Sequence, residues 1–416
     1  MRQQNLFDPS DLSPSHQAIL LHYAGAKSLS VAQEDLYAAE ARRQGVAEDD
    51  LKTRAPVGKS RTAHSLRTRQ IRWWQQDLKA RGWLERVPHS RGRWRLTEPA
   101  RKALTPQEPG RVMLGFSTEL GVALWASAED VFDRLDQPIT LILTSPPYAL
   151  ARPRAYGNVR QEDYVEWLVD TLTPLVRQLR PGGTLALNVS NDIFEPGSPA
   201  RSLYRERLVI ALCDTLGLHK WDEFIWHNPC KAPGPLQWAS RTQQQLNVAW
   251  EPVYIFTNDP RRCVASNRRV LQQHTEQHLQ LMSRGGEARD SVFSDGAYRV
   301  RPGSYVKATP GRIARNLQSI PHRGNDPALL DARRRAAEMG LPTHGAPMPL
   351  ALADFMVRYL SEPGDLVADP FGGYGTTGVA AETHGRRWIS TEKHLEYVLG
   401  TSLRLEAMAQ RASVAS

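Results

Sequence analysis

The sequence predicts an α/β architecture: a mostly parallel sheet with helices on both faces, preceded by a small, basic, largely helical module. Three observations carry this. Short apolar segments such as Thr140-Leu141-Ile142-Leu143 and Leu366-Val367-Ala368 alternate with amphipathic stretches of helical period. Two of these segments run straight into proline- or glycine-rich turns, the pattern of ligand loops at strand carboxyl ends. The first hundred residues follow another rhythm, with thirteen Lys/Arg against two acids, Asp77 and Glu85, between Lys52 and Arg95.

That basic module comes first in the chain. Gln17–Tyr23 and Val31–Gln44 carry apolar residues at near-helical spacing, and Lys52–Ser65 reads as a basic loop. Leu66, Ile71, Trp74 and Leu78 predict one face of a further helix, with Arg67, Arg69, Arg72 and Lys79 around the rest. Trp83–Val87 and Arg93–Leu96 read as strands flanking the turn cluster Pro88–Gly92. Helices followed by a short basic hairpin resemble a winged helix-turn-helix. That resemblance implies a helix in the major groove, with Arg67, Arg69, Arg72, Arg91 and Arg93 as candidate DNA contacts.

Composition narrows the class. The chain has 416 residues, 41% of them hydrophobic, enough for a real core and for two or three domains. Its formal charge is +9, which suits a polyanionic partner. No apolar run approaches the ~20 residues of a membrane span, and the N-terminus leads into no signal-like segment, so a cytoplasmic protein is expected. The cysteines, Cys213, Cys230 and Cys263, have the spacing of neither a disulfide framework nor a zinc site, and no metal is expected.

After a proline-containing linker at 101–110, strands are predicted at 140–143, 184–189, 224–226, 253–256 and 366–368, and helices at 163–179 and 350–360. Residues 258–323 break this rhythm with a polar stretch carrying twelve Lys/Arg against five acids.

Two segments carry the chemistry. Asp369-Pro370-Phe371-Gly372-Gly373-Tyr374-Gly375-Thr376-Thr377-Gly378 leaves a strand and opens a helix. Glycines admit close backbone approach, and a helix N-terminus offers unpaired N–H groups, so the loop suits a nucleotide-like ligand. Glu392 closes the next strand, where a carboxylate accepts ribose hydroxyls. The other segment is Thr144-Ser145-Pro146-Pro147-Tyr148. Consecutive prolines fix an extended turn with no N–H, leaving carbonyls to accept from a base amine, and Tyr148 supplies a stacking face.

These segments resemble motifs IV and I of the DNA amino-methyltransferases, whose patterns are (Asp/Asn/Ser)-Pro-Pro-(Tyr/Phe) and Asp-Pro-Phe-x-Gly-x-Gly-Thr-Thr. The catalytic motif comes first, an order similar to that of the beta class. Gly345-Ala346-Pro347-Met348-Pro349 after His344 is similar to the segment that helps enclose the cofactor's methionine, and Gly385–Glu392 to the second nucleotide motif. The resemblance spans roughly residues 111–410. It implies a Rossmann-like methyltransferase fold and S-adenosyl-L-methionine as cofactor. Ser145, Pro146, Pro147 and Tyr148 would be catalytic, and Asp369, Pro370, Phe371, Gly373, Gly375, Thr376, Thr377, Glu392, Pro347 and Pro349 cofactor-binding. With the winged helix-turn-helix resemblance, it divides the chain into a DNA-binding module at 1–100, a catalytic half at 111–257, a target-recognition insert at 258–340 and a cofactor half at 341–416. Candidate DNA contacts in the insert are Arg261, Arg262, Arg268, Arg269, Arg299 and Arg301.

One departure stands out. Trp125-Ala126-Ser127-Ala128-Glu129 lies where relatives carry a Gly-Asp pair that meets the cofactor's adenine, and Ser127 is the candidate substitute. In the family, Ser before Pro-Pro accompanies cytosine N4 and Asp or Asn accompanies adenine N6. The resemblance therefore implies a site-specific cytosine-N4 methyltransferase of a restriction-modification system. Adenine N6 and a catalytically silent DNA-binding regulator are the alternatives. The expected partners are double-stranded DNA and a cognate restriction endonuclease, with the protein a monomer or homodimer.

Overall fold

The computed structural model describes residues 12–24, 30–43, 46–57, 62–88, 90–100, 110–149, 159–322, 326–339, 341 and 345–415. The N-terminal module runs α1 (Pro14–Ala24), β1 (Val31–Ala32), α2 (Gln33–Arg43), α3 (Glu48–Lys52), β2 (Ala55–Val57), β3 (Thr62–His64), α4 (Leu66–Ala80), β4 (Leu84–Arg86) and β5 (Arg93–Leu96). β4 and β5 form an antiparallel hairpin, and β1 pairs with the other side of β5. Ser65 caps α4 by accepting a hydrogen bond from Thr68 N at 3.2 Å.

Two local readings are corrected here. The expected loop at Lys52–Ser65 contains the end of α3 and the β2–β3 hairpin. On α4 the buried stripe is Thr68, Ile71, Gln75 and Leu78, while Leu66 is 58% exposed. Steps of three and four residues from Thr68 define that face, and Leu66 falls off it. Gln75 is tolerated inside because Tyr23 Oη lies 2.7 Å from its amide nitrogen.

The rest of the chain builds one large sheet. Its strands are β6 (Met113–Ser117), β7 (Gly121–Trp125), β8 (Ile139–Thr144), β9 (Leu179–Asn188), β10 (His219–His227), β11 (Trp250–Thr257), β14 (Leu317–Ser319), β15 (Leu366–Asp369) and β16 (Arg387–Glu392). A separate hairpin, β12 (Ser291–Phe293) and β13 (Tyr298–Val300), lies in the insert. The helices are α5 (Ala128–Phe132), α6 (Tyr164–Arg177), α7 (Tyr204–Leu216), α8 (Glu276–Ser283), α9 (Pro327–Met339), α10 (Leu350–Leu360), α11 (Thr376–Thr383) and α12 (Leu395–Ala415). The strand order is β14-β10-β11-β9-β8-β15-β16-β7-β6. Pairing is parallel except where β11 meets β9 and β10, and where β6 meets β7.

Alternation along β8 shows how both faces are covered. Leu141 and Leu143 join a core with α10 and α11, whereas Ile142 joins a core with α6 and α7. All six residues of β8 are buried, as expected for a central parallel strand. Residues 101–109, most of the expected linker, lie outside the described residues. Among the described residues, no helix is long and apolar enough to cross a membrane.

Strand order decides where a ligand can sit. From β8 the chain proceeds to β9 on one side, and from β15 to β16 on the other. β8 and β15 are parallel neighbours, so the loops leaving them diverge and open a crevice at their carboxyl ends. Both sequence motifs leave from this switch point.

Candidate active site

Thr144, the last residue of β8, donates its hydroxyl proton to Asp369 Oδ1 at 2.7 Å, although 225 residues separate the two. Asp369 also accepts from Phe371 N at 3.0 Å and, through Oδ2, from the Thr377 hydroxyl at 2.7 Å. Burial pushes its carboxyl above the usual range, and these donors oppose the shift. Asp369 thus welds the two motif loops and the start of α11 together.

One continuous cleft runs between the loops. Ser145, Pro146, Pro147 and Tyr148 line one end, and Pro370, Phe371, Gly373 and Glu392 line the other. Glu392 accepts from Gly373 N and from His394 N, each at 2.9 Å, which anchors the glycine turn to the end of β16. Burial raises the Glu392 carboxyl, and the two N–H groups partly offset this. Gly375 is obligatory for shape. Its φ is +68°, and a Cβ there would lie 2.3 Å from Thr401 Cγ2. Tyr374, the bulky residue of this loop, finds room because Gly400 lies beneath its ring, where a Cβ would come within 2.4 Å.

At the other end, the Tyr148 hydroxyl is buried in a polar cluster. It donates to Glu251 Oε2 at 3.0 Å and lies 3.0 Å from Asn188 Oδ1. Ser145 Oγ is 3.3 Å from the same Asn188 oxygen and 3.2 Å from Tyr148 Oη. Lys231 pairs with the other Glu251 oxygen at 2.8 Å. Burial and then the Glu251 charge push the Tyr148 phenol well above its usual range, so it stays neutral. Asn188, Glu251 and Lys231 went unseen in the sequence as site residues. The signal was topological: Asn188 ends β9, and antiparallel β11 begins at this same edge.

Several predicted cofactor residues stand behind the cleft rather than in its wall. Thr377 is committed to Asp369, and the Thr376 hydroxyl donates to Met348 O at 3.2 Å. Pro347 and Pro349 are buried, and Ala346 is the wall residue of that segment. His344 lies outside the described residues. Ser127 is not in the wall either, because its hydroxyl donates to Asp130 Oδ2 at 2.7 Å; Ala128 and Glu129 are. Val159, Trp167, Thr171, Lys393, His394 and Tyr397 complete the lining and were also missed. Trp167 lies in the first turn of the helix that follows β8, and such a turn necessarily starts at the carboxyl edge. Its ring centroid is 5.5 Å from that of Phe371, an aromatic wall suited to a flat heterocycle.

The structure separates the candidate arginines. Arg67, Arg69, Arg72 and Arg91 are exposed, the first three on α4 and the last at the hairpin turn. Arg93 instead binds Ser30 Oγ and O at 3.0 and 3.1 Å, fastening the hairpin to the chain before β1. Arg261, Arg262, Arg268 and Arg269 are not brought to the cleft. They follow β11, which runs against its neighbours and delivers the chain to the opposite edge. There Val264 N donates to Gly182 O at 3.2 Å, before the parallel run of β9. Arg269 is spent on Arg358 O, Tyr359 O and Glu362, at the end of α10. Arg299 and Arg301 lie in or beside the β12–β13 hairpin, and Arg299 forms a two-bond pair with Asp290.

A cleft at the switch point of a parallel sheet, walled by aromatic rings, a glycine turn and the Glu392 carboxylate, defines a nucleotide-cofactor enzyme of the α/β class. The DNA methylase family matches residues 139–402, and the chain belongs to it. It is 32% identical over 277 residues to the type II methyltransferase M.PvuII of Proteus hauseri, covering 65% of this chain and 78% of that one. M.SmaI of Serratia marcescens is 25% identical over 305 residues, covering 68% and 89%. The solved structure described as PvuII DNA methyltransferase (cytosine-N4-specific) superposes with a TM-score of 0.54 at 28% identity, covering 70% of this chain and 88% of that one.

Proposed function

We propose that the chain is a site-specific DNA methyltransferase that uses S-adenosyl-L-methionine to methylate N4 of a cytosine flipped out of duplex DNA. The observation that carries this is the single cleft with Ser145-Pro146-Pro147-Tyr148 at one end and Phe371, Gly373 and Glu392 at the other. A nucleoside fits the second end. Glu392 has lone pairs beyond the two N–H bonds it accepts, and the Trp167 and Phe371 rings share the cleft wall with it. When bound there, the sulfonium cofactor supplies a methyl group already activated for transfer.

The chain's own task is positioning, which can supply much of such a reaction's rate. The amine lone pair of cytosine is delocalised into the ring and must be turned toward the methyl group. Ser145 Oγ and the main-chain carbonyl of Pro146 hold the amine hydrogens, while Tyr148 stacks on the base. The bond that the Tyr148 hydroxyl donates to Glu251, with Asn188 packed beside it, fixes that ring in place. No cysteine nucleophile is used. Ser145 in the first motif position, together with the similarity to a cytosine-N4-specific enzyme, favours cytosine over adenine.

Residues 1–100 act as a winged helix-turn-helix-like DNA clamp, a reading supported by the exposed Arg67, Arg69 and Arg72 of α4. Recognition by the insert rests on its 272–316 half, with Arg299 and Arg301. The protein works in the cytoplasm beside a restriction endonuclease of the same site.

The direct test is to incubate the protein with unmodified bacterial genomic DNA and S-adenosyl-L-methionine, digest to nucleosides and analyse by mass spectrometry. N4-methyldeoxycytidine is expected. N6-methyldeoxyadenosine overturns the base assignment, and no methylated nucleoside overturns the reading. In the full chain, replacing Arg67, Arg69 and Arg72 together by Gln lowers the slope of log affinity against log salt by about 1 per lost phosphate contact. A slope equal to that of the unaltered protein refutes the clamp.

A further inference from the structure

A loop joined to the Tyr148 end of the cleft has no role in the reading above beyond its root. Residues 228–249 join β10 to β11 on the carboxyl edge of the sheet. The root belongs to the site, since Lys231 pairs with Glu251 and Glu251 holds Tyr148. The remainder is braced. Val248 N donates to Gly234 O at 2.8 Å, and Gln244 N and Gln245 N donate to Trp238 O at 2.7 and 3.0 Å. The Gln245 amide reaches Pro199 O at 3.1 Å, in the loop that follows β9. Gln243 is held at φ +58°, a left-handed conformation that is strained for a non-glycine residue and persists only where its surroundings impose it.

This ordered turn presents Leu246, which at 87% exposure is the most exposed large hydrophobic side chain among the described residues. Exposed Gln243, Gln244 and Asn247 flank it. An exposed leucine alone says little, because apolar atoms form much of any protein surface. Here the leucine stands on a constrained turn, on the same carboxyl edge of the sheet as the cleft.

Resting on the methyltransferase reading, we propose that Leu246 is the wedge that fills the gap a flipped base leaves in the duplex. Extruding a base sacrifices stacking and pairing on both sides of it. An apolar side chain inserted between base steps restores contact with the faces left bare. The amides of Gln243 and Gln244 carry both donors and acceptors for the widowed partner base.

The test compares Leu246→Ala and Leu246→Met with the unaltered protein. Two duplex oligonucleotides carry the site mapped from the methylated genomic DNA, one with the target base paired and one with it opposite an abasic position. Because Leu246 is exposed, both variants keep cofactor affinity, measured by calorimetry. On the paired duplex, Leu246→Ala transfers methyl groups about tenfold or more slowly, since extrusion of a paired base is the costlier case. Leu246→Met retains most of the rate, and the abasic duplex restores Leu246→Ala to near the unaltered rate. An undiminished rate for Leu246→Ala on the paired duplex, or the same loss on both duplexes, overturns the wedge alone. An unaltered protein that methylates no DNA overturns the parent reading and this one with it.

Discussion

Ser145→Ala slows methyl transfer by about 10²- to 10³-fold, the range for losing one preorganised polar group at a reacting centre. The serine hydroxyl lies in a cluster with Tyr148 and Asn188, at the end of the cleft away from Glu392. Removing it leaves the cradle around Gly373 and Glu392 untouched. Single-turnover rates therefore fall while cofactor affinity, read by calorimetry, stays put. Pro146→Ala is the milder change, because the main-chain carbonyl survives and only the fixed φ is relaxed. Equal losses of turnover and cofactor affinity in Ser145→Ala would remove Ser145 from the amine-holding role.

The second large effect is on stability. Arg404 is fully buried in α12. Its guanidinium donates to Tyr374 O at 2.9 Å and to Thr376 Oγ1 at 2.7 Å, and it pairs with Asp326. It thus ties the glycine loop to the C-terminal helix and to the segment before α9. Arg404→Met leaves Asp326 without its cation and lowers unfolding free energy by about 3–5 kcal/mol, the usual consequence of breaking a buried pair from one side. Urea unfolding reads this as a lower midpoint. Arg404→Met combined with Asp326→Leu recovers much of the loss, because no uncompensated charge remains inside. A double variant no better than the single one would show that the bonds to Tyr374 and Thr376 dominate instead.

Much of the site was legible in the sequence, for a physical reason. A ligand loop must follow directly on its strand, so Ser145–Tyr148 after β8 and Phe371–Gly373 after β15 could be read as continuous words. α10 was read at its observed bounds because its apolar stripe and the prolines before it agree. Groups that act through partners far along the chain were not legible. Asn188, Glu251 and Arg404 meet the site only through strand order and helix packing. The placement of the first arginines of the insert was not legible either. Composition announced a basic insert, but the reversed direction of β11 decides which edge receives it, and Arg261 and Arg262 end on the wrong one. Thr376 and Thr377 open α11 directly after the glycine loop, and their hydroxyls turn inward to brace that loop.

The hydrogen bond between Thr144 and Asp369 also sets a schedule for the growing chain. During synthesis β8 emerges some 225 residues ahead of the strand that covers one of its edges. Until β15 arrives, that strand, buried at every position in the finished fold, keeps an open row of backbone donors and acceptors, a hazard for pairing with other chains. Such distant pairing is slow to form, since a long loop must close before any contact repays it. The cleft therefore comes into being only when the last part of the sheet docks. A nascent or truncated chain can carry every residue of the amine-holding end and still have no second wall, so methylation begins only with the finished molecule.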